Sequence, residues 1–162
     1  MKRVLAVLAI VAVLASAVAA VLVWRLTRDH EPSLPEISAY SRGHLIRVGP
    51  YRYCEVLDLN ACQMPGAQGE LPVNERDPVQ VSVPAAIGRA PWRLLRVYEN
   101  PIDTTVSVFR PDTRLAVTVP TVDPQRGRLT GVAVQLLTLV QDESGELFEA
   151  PHAEWSMRTV WS

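Results

Sequence analysis

The chain opens with an apolar run that extends from Val4 to Trp24 without a charged residue. As a helix this run would measure about 30 Å, the thickness of the hydrocarbon core of a bilayer. Ser16 is its only polar residue, whereas a helix on the surface of a soluble domain carries a polar stripe. The pattern predicts a signal-anchor transmembrane helix over residues 1–26. Small residues at 15–17 keep a cleaved signal peptide as the alternative.

Positive charge does not fix the orientation of this helix, because Lys2 and Arg3 on one side are matched by Arg25 and Arg28 on the other. The signal-like layout and the two cysteines further along the chain favour an N-terminus inside the cell. We therefore expect a single-pass protein of the cell membrane whose C-terminal domain lies outside the cytoplasm.

Beyond the helix, apolar and polar residues alternate along short segments, as they do in half-buried antiparallel strands. In the segment 79–84, for example, Val79, Val81 and Val83 share one face. Segments of this kind lie at 51–57, 79–84, 91–99, 104–109, 115–120, 132–140 and 154–161. They predict a mainly β fold, an antiparallel Ig-like β-sandwich of about seven strands, with a small barrel as the alternative.

Two segments lack this alternation. Residues 27–38 contain two prolines and predict an extended linker between the helix and a β-sandwich domain at 39–162. Residues 63–78 show no periodicity and predict a long irregular loop. Such loops are often functional or mobile, but they also cover sheet edges, and the sequence leaves both interpretations open.

The charge balance limits the partners of the predicted domain. Of the 16 basic residues four precede Asp29, which leaves 12 arginines against 17 acidic residues and a net charge of −5. A surface of this sign argues against nucleic acid as a partner and disfavours docking on anionic lipid headgroups.

The sequence contains no catalytic or metal-binding motif. His30, His44 and His152 have no second ligand at a spacing that metal sites use. The eight glycines are scattered, and no nucleophile elbow, P-loop or dinucleotide-binding fingerprint occurs. We therefore predict no catalytic residue, no metal and no cofactor.

Cys54 and Cys62 are the only cysteines of the chain. Their close spacing and the expected oxidising compartment predict a disulfide that closes a short loop. A metal site would need two more ligands nearby, and a catalytic redox pair would more often read C-x-x-C.

Four residues form the candidate interaction surface. Arg126 and Arg128 flank Gly127 at a predicted loop tip, where an arginine pair suits an acidic or phosphorylated partner. Trp155 and Trp161 share one face of the last predicted strand, where exposed aromatic rings would mark a contact surface. The alternatives are a solubilising turn for the arginines and a buried strand face, which the pattern favours, for the tryptophans.

Small residues recur every fourth position of the predicted helix, at Ala12, Ser16 and Ala20. Such a stripe lets two membrane helices approach closely and predicts a homodimer through this face. Alanine is so common in the chain that chance explains the stripe as well.

The sequence resembles an uncharacterised family of mycobacterial and related actinobacterial membrane-anchored exported proteins, known only as a domain of unknown function. The segments that carry the resemblance read YRYCEVLDLNACQ, LPVNERDPVQVSVP, APWRLLRVY and VDPQRGRLTGVAVQLLTLV. The two cysteines, the Pro-Trp pair and the PQRGRLTG segment match in place, and the resemblance covers almost the whole chain. It implies a location in the cell envelope and supplies no catalytic residues.

Two functions therefore remain. The first is a membrane-tethered binding or scaffold module of the cell envelope, which contacts another envelope protein, a lipid or a glycan. The second is an envelope lipid or glycan carrier, or an enzyme, that uses a cleft near the 63–78 loop. A solid core would favour the first, and a deep apolar cavity with converging polar groups would favour the second.

Overall fold

The computed structural model describes residues 2–28, 34–142 and 144–162, and within the first range it describes side chains from 11 to 25. The chain divides into two compact units, residues 1–33 and 34–162. Part of the predicted linker, together with His30, lies outside the described residues.

The first unit contains one helix, α1, over Lys2–Arg28, so the predicted N-terminal helix is confirmed. Its described side chains, from Val11 to Arg25, are exposed. Ser16 Oγ donates to the carbonyl oxygen of Ala12 at 2.9 Å, one turn earlier in the same helix. Within the described ranges, no helix is long and apolar enough to cross a membrane.

The second unit consists of β-strands with one short α-helix and one 3₁₀ turn, which confirms the prediction of a mainly β domain. The elements, in chain order, are β1 Ile37–Ser41, β2 His44–Val48, β3 Arg52–Cys54, β4 Cys62–Gln63, β5 Gln68–Val73, β6 Val79–Ser82, α2 Ala85–Gly88, β7 Trp92–Tyr98, the 3₁₀ turn Pro101–Asp103, β8 Thr105–Phe109, β9 Ala116–Val119, β10 Val122–Asp123, β11 Gly127–Gln141 and β12 Leu147–Trp161.

These strands form two sheets. The smaller sheet has the order β2-β1-β6-β9, and the larger has the order β4-β3-β12-β11-β7-β8, with β10 paired to β11 and β5 paired to β12. All pairs are antiparallel except β5 with β12. Two mainly antiparallel sheets are consistent with the predicted sandwich, and the immunoglobulin-like topology stays a prediction.

One apolar cluster contains the inward-facing residues of both sheets. Val79 and Val81 of β6 are fully buried, as are Trp92 and Leu94 of β7, because alternate residues of a strand point to the same face. The Trp92 ring stacks on Phe109 with 4.3 Å between ring centroids. The core is therefore packed around large side chains from both sheets.

The predicted number of strands is wrong, because the described chain contains twelve. Two of the additional strands, β4 and β10, are only two residues long, too short for alternation to show. The predicted linker also extends too far, since β1 begins at Ile37 and this side chain is fully buried.

The segment 63–78 is not the irregular loop that its sequence predicts. It contains β5, which runs parallel to β12 from Gln68 to Val73 and buries Leu71 and Val73 completely. Gly69 and Pro72 interrupt the apolar alternation of β5, which removes the signal by which a strand is recognised.

Candidate functional site

Trp155 does not belong to the candidate surface. Its side chain is fully buried, and its Nε1 donates to the carbonyl oxygen of Pro35 at 2.7 Å. The Tyr53 ring meets it edge-on, with 6.2 Å between ring centroids. Trp155 therefore takes the buried position that the pattern favoured and leaves the candidate interaction surface, because β12 turns this residue, like Met157, toward the core.

Arg126 belongs to a tight turn. Asp123 Oδ1 accepts the backbone N–H groups of Gln125 at 2.9 Å and Arg126 at 3.0 Å, and Arg126 Nη1 lies 3.3 Å from Asp123 Oδ2. The N–H of Gln125, followed by the contacts from Arg126, lowers the pKa of Asp123 from its ordinary value. The guanidinium of Arg126 is therefore engaged within its own turn.

Arg128 and Trp161, by contrast, lie together. Because β11 and β12 are antiparallel, the first residues of β11 adjoin the last residues of β12. The guanidinium carbon of Arg128 lies 4.8 Å from the centroid of the Trp161 ring, and its Nη2 lies 2.8 Å from Glu75 Oε1. Trp161 Nε1 donates to the carbonyl oxygen of Leu129 at 3.0 Å, which fixes the ring beneath the guanidinium.

These two side chains line a cavity of about 500 Å³. We call it the arginine pocket, and its lining consists of Arg42, Asn74, Glu75, Arg76, Arg128, Trp161 and Ser162. The lining side chains include three guanidinium groups and one carboxylate. Positive charge is thus concentrated at one place on a domain whose arginines are outnumbered by its acids.

A hydrogen-bonded turn presents Arg76 to the pocket. Asn74 Oδ1 accepts the backbone N–H groups of Arg76 at 2.9 Å and Asp77 at 2.7 Å, and Asn74 Nδ2 donates to Asp77 Oδ2 at 2.8 Å. The buried Ser41 donates from Oγ to the Asp77 carbonyl oxygen at 3.4 Å. These bonds hold the turn against the end of β1, next to Arg42.

Arg42 reaches the pocket from the two-residue turn between β1 and β2. Its φ is +51° and that of Gly43 is +80°, the signs that a type I′ turn requires at both central positions. Asn, Asp or Gly usually occupies the first of these positions, because other side chains are strained there. Arg42 Nη1 donates to Ser162 Oγ at 2.7 Å.

The chemistry of the arginine pocket is that of an oxyanion site. A guanidinium presents paired N–H donors that match the oxygens of carboxylates and phosphates, and it keeps its charge at every physiological pH. The described residues contain no group of three or more His, Cys, Asp or Glu side chains placed to hold a metal ion.

The predicted disulfide is confirmed. Cys54 and Cys62 are bonded to each other across the β3–β4 pair, and Cys54 is buried. The ring of the buried His152 lies against this site, with Nδ1 3.1 Å from the carbonyl oxygen of Cys54. Since β3 pairs with β12 at Ala153, the bridge and the arginine pocket lie at different positions along β12.

Sequence reasoning missed five of the seven lining residues, Arg42, Asn74, Glu75, Arg76 and Ser162. Arg42, Asn74 and Arg76 lie far in sequence from Arg128, and no sequence pattern indicates that they are close in space. A signal existed for Arg42, since Arg-Gly between two short apolar segments marks a tight turn with an unusual first residue. Arg76 and Asn74 lie in the segment 63–78, which the sequence marked for its irregularity alone.

Ala12, Ser16 and Ala20 are exposed on α1, and the homodimer through them stays a prediction.

Fold and site together define a mainly β domain of two sheets with a basic pocket. Residues 30–160 match the family described as "Protein of unknown function (DUF2771)", and the chain belongs to this family. It is 65% identical over 162 residues to uncharacterized proteins of Mycobacterium bovis (Mb0899c) and Mycobacterium tuberculosis (Rv0875c and MT0898), an alignment that covers 99% of this chain and all of each relative. No solved structure matches the chain. The resemblance to a mycobacterial family of unknown function is confirmed, while membrane anchoring and export stay predictions.

Proposed function

We propose that the protein is a binding module of the bacterial cell envelope, tethered to the cell membrane by α1, and that it holds its partner at the arginine pocket outside the cytoplasm. One observation carries the proposal. Arg42, Arg76 and Arg128 converge with Trp161 around a cavity of about 500 Å³, a size typical of ligand sites.

The sequence supports the membrane tether. The apolar run starts at Val4, whereas the described side chains of α1 start at Val11, so the run is longer than the part of the helix whose side chains the structure describes. Trp24 and Arg25 follow in the order found at membrane interfaces. The disulfide supports the compartment, because such bonds persist where the surroundings are oxidising.

The packing of the β unit supports binding over catalysis. The inward-facing side chains of the two sheets form one apolar cluster, and the pocket is lined by charged and polar groups together with Trp161, which packs against that cluster. Guanidinium groups, a fixed carboxylate and an aromatic ring can orient an anionic partner, and no acid–base pair in the pocket suggests turnover.

Photo-crosslinking in intact cells tests this function. A photoreactive residue in place of Ser162, at the rim of the pocket, should form a discrete adduct with the partner in the membrane fraction. The adduct should disappear in the double variant Arg42→Gln, Arg76→Gln, since both changes remove positive charge from the pocket.

Arg126→Gln is the matched control, because Arg126 is an arginine of the same domain whose guanidinium contacts its own turn rather than the pocket. It should leave the adduct intact. An adduct that forms equally in the double variant would place the partner elsewhere and refute the proposed site.

A carrier or enzyme that uses a cleft near residues 63–78 is the second candidate. The observation in its favour is that Asn74, Glu75 and Arg76, from this segment, line the pocket. Mass spectrometry of the purified full-length protein separates the two candidates, because a carrier should copurify with a lipid or glycan at close to one equivalent. A protein that is purified without a bound lipid or glycan, and that crosslinks to another protein in cells, supports the binding module.

A further inference from the structure

We propose that the arginine pocket binds a phosphate monoester, with the phosphate held by Arg42 and Arg76 beside the Arg128–Trp161 pair. This inference rests on the proposed function and names the chemical class of its ligand. A soluble sugar and the headgroup of a lipid or glycan are both sources of such a phosphate, and the chemistry that the pocket recognises is the same in each.

The charge of the pocket matches a dianion. Arg128 is paired with Glu75 at 2.8 Å, which neutralises one of the three guanidinium groups. Arg42 contacts a neutral hydroxyl, Ser162 Oγ, and Arg76 adds a second charge at the lining. Among the described residues, neither Arg42 nor Arg76 forms an ion pair. A phosphate monoester, with a charge of about −1.5 to −2 at neutral pH against −1 for a carboxylate, matches these two guanidinium groups.

The backbone at Arg42 supports a binding role for that side chain. A φ of +51° is strained for arginine and suits asparagine or glycine. Arginine at this position therefore lowers the stability of the turn and places a cation at the rim of the pocket. Strained residues that the surrounding structure tolerates concentrate at ligand sites. A turn with a purely structural role would be more stable if asparagine or glycine replaced this arginine.

The backbone that carries the second cation, Arg76, is preorganised. Because Asn74 Oδ1 accepts the N–H groups of Arg76 and Asp77, the backbone of the 74–77 turn is ordered before any ligand arrives. Ordering a loop in advance removes part of the entropy cost of binding.

The cavity is larger than a phosphate group. At about 500 Å³ it leaves room for the group that carries the phosphate, and the Trp161 ring supplies an aromatic wall for that group. A phosphorylated sugar or glycerol unit fits this combination of charge, volume and ring, whereas inorganic phosphate would use only the cationic part.

Titration of the full-length protein in a neutral detergent tests the inference. The ligands are glucose 6-phosphate, glycerol 3-phosphate as a lipid headgroup, inorganic phosphate, glucuronate and glucose, all at one ionic strength. Binding is measured by calorimetry and by the ¹⁵N–¹H resonance of the Trp161 indole, which Trp161→Phe identifies. Saturable binding of both phosphate esters, with glucuronate at least about tenfold weaker and glucose inactive, is the expected result.

The variant Arg42→Asn gives the sharpest test. It should weaken binding of the phosphate esters by about tenfold or more and leave the melting temperature equal or higher, because it removes a charge-assisted contact and relieves the turn. Arg76→Gln should weaken binding to a similar extent at an unchanged melting temperature. Arg126→Gln should change neither property.

Three results would overturn the inference: unchanged phosphate affinity in the Arg42→Asn, Arg76→Gln double variant, glucuronate that binds as tightly as the esters, or no saturable binding of either ester. Each is distinct from a failure of the proposed function. A partner that still crosslinks at residue 162, and is lost in the arginine variants, would keep the binding module while rejecting a phosphate ligand.

Discussion

Individual residues determine where this acid-rich domain becomes basic. Arg42 supplies a cation from a strained turn, Arg76 from a turn that Asn74 orders, and Arg128 from the start of β11. Arg126, two residues before Arg128, contributes nothing to the pocket because Asp123 engages it. Neighbours in sequence thus have separate roles, and the pocket depends on which side chains the turns leave pointing into it.

The disulfide gives a stability prediction at the residue scale. The Cys54→Ala, Cys62→Ala double variant should lose about 2.5 kcal/mol of unfolding free energy, because the bridge closes a short loop of sequence separation 8 in the unfolded chain. Denaturant unfolding of the full chain measures the loss. Wild-type protein unfolded under reducing conditions is the control and should match the variant, whereas equal midpoints for variant and oxidised wild type would contradict the prediction.

At the scale of elements, the sheets depend on close approaches that a side chain would block. β5 packs beside β12 with Gly69 against β2, and a Cβ at this position would lie 2.5 Å from Val48 Cγ2 and 3.0 Å from Ile46 Cδ1. A parallel strand of this kind can form only where the chain leaves room for it. The glycine that hides β5 from sequence analysis is therefore also what allows β5 to pack.

Gly69→Ala should destabilise the protein by about 1–3 kcal/mol, since the added methyl group overpacks a filled core. Gly49→Ala is the matched control, because its Cβ would lie 3.8 Å from Ala67 Cβ, an ordinary contact, and it should stay within about 0.5 kcal/mol of the wild type. Thermal and denaturant unfolding of both variants provide the comparison. Equal stabilities of the Gly69→Ala and Gly49→Ala variants would contradict the prediction, because they would show that the sheets accommodate the added methyl group without losing unfolding free energy.

The β11–β12 hairpin gives a pH prediction. Asp142 Oδ1 accepts the Ser144 hydroxyl at 2.6 Å and the Glu146 N–H at 2.8 Å, and the Ser144 hydroxyl bond is the main reason that the pKa of Asp142 is lowered from 3.8. A lowered pKa means that the carboxylate stabilises the hairpin fully above its ordinary pKa. That contribution is lost as the pH falls through the lowered value.

Hydrogen-exchange protection of the amides at Ser144 and Glu146 should therefore decline below pH 3.8 in the wild type. Asp142→Ala should show low protection at neutral pH and no further decline from this source on acidification. Protection in the wild type that persists unchanged far below pH 3.8 would contradict the role of the carboxylate.

At the scale of the whole molecule, the chain combines an apolar helix with a β unit that has its own core. The proposed topology places the β unit outside the cytoplasm. A reporter enzyme that is active only outside the cytoplasm, fused after Ser162, should be active, and the same fusion without residues 1–28 should be inactive. Activity that does not depend on this segment would refute the topology.

The mature N-terminus separates an anchor from a cleaved signal. Mass spectrometry of the protein from the membrane fraction should find residues 1–17 still attached. A soluble mature chain that begins near Val18 or Val21 would show that the helix is removed during export.

The sequence by itself determined the features that arise from local pattern. The helix follows from an uninterrupted apolar run, the strands at 79–84, 91–99 and 132–140 from alternation or sustained apolarity, and the disulfide from two cysteines eight residues apart. Each of these signals lies within a few residues of chain, so no tertiary information is needed to recognise it.

Only the tertiary structure decided which residues meet. The pairing of β11 with β12 brought Arg128 to Trp161, while the same strand turned Trp155 into the core. The short strands β1 and β5 form because long-range partners bury Ile37 and Leu71, a gain that no local pattern reports. The pocket joins residues from the β1–β2 turn, the 74–77 turn and the ends of β11 and β12, because sheet pairing, and not sequence distance, fixes what is adjacent in space.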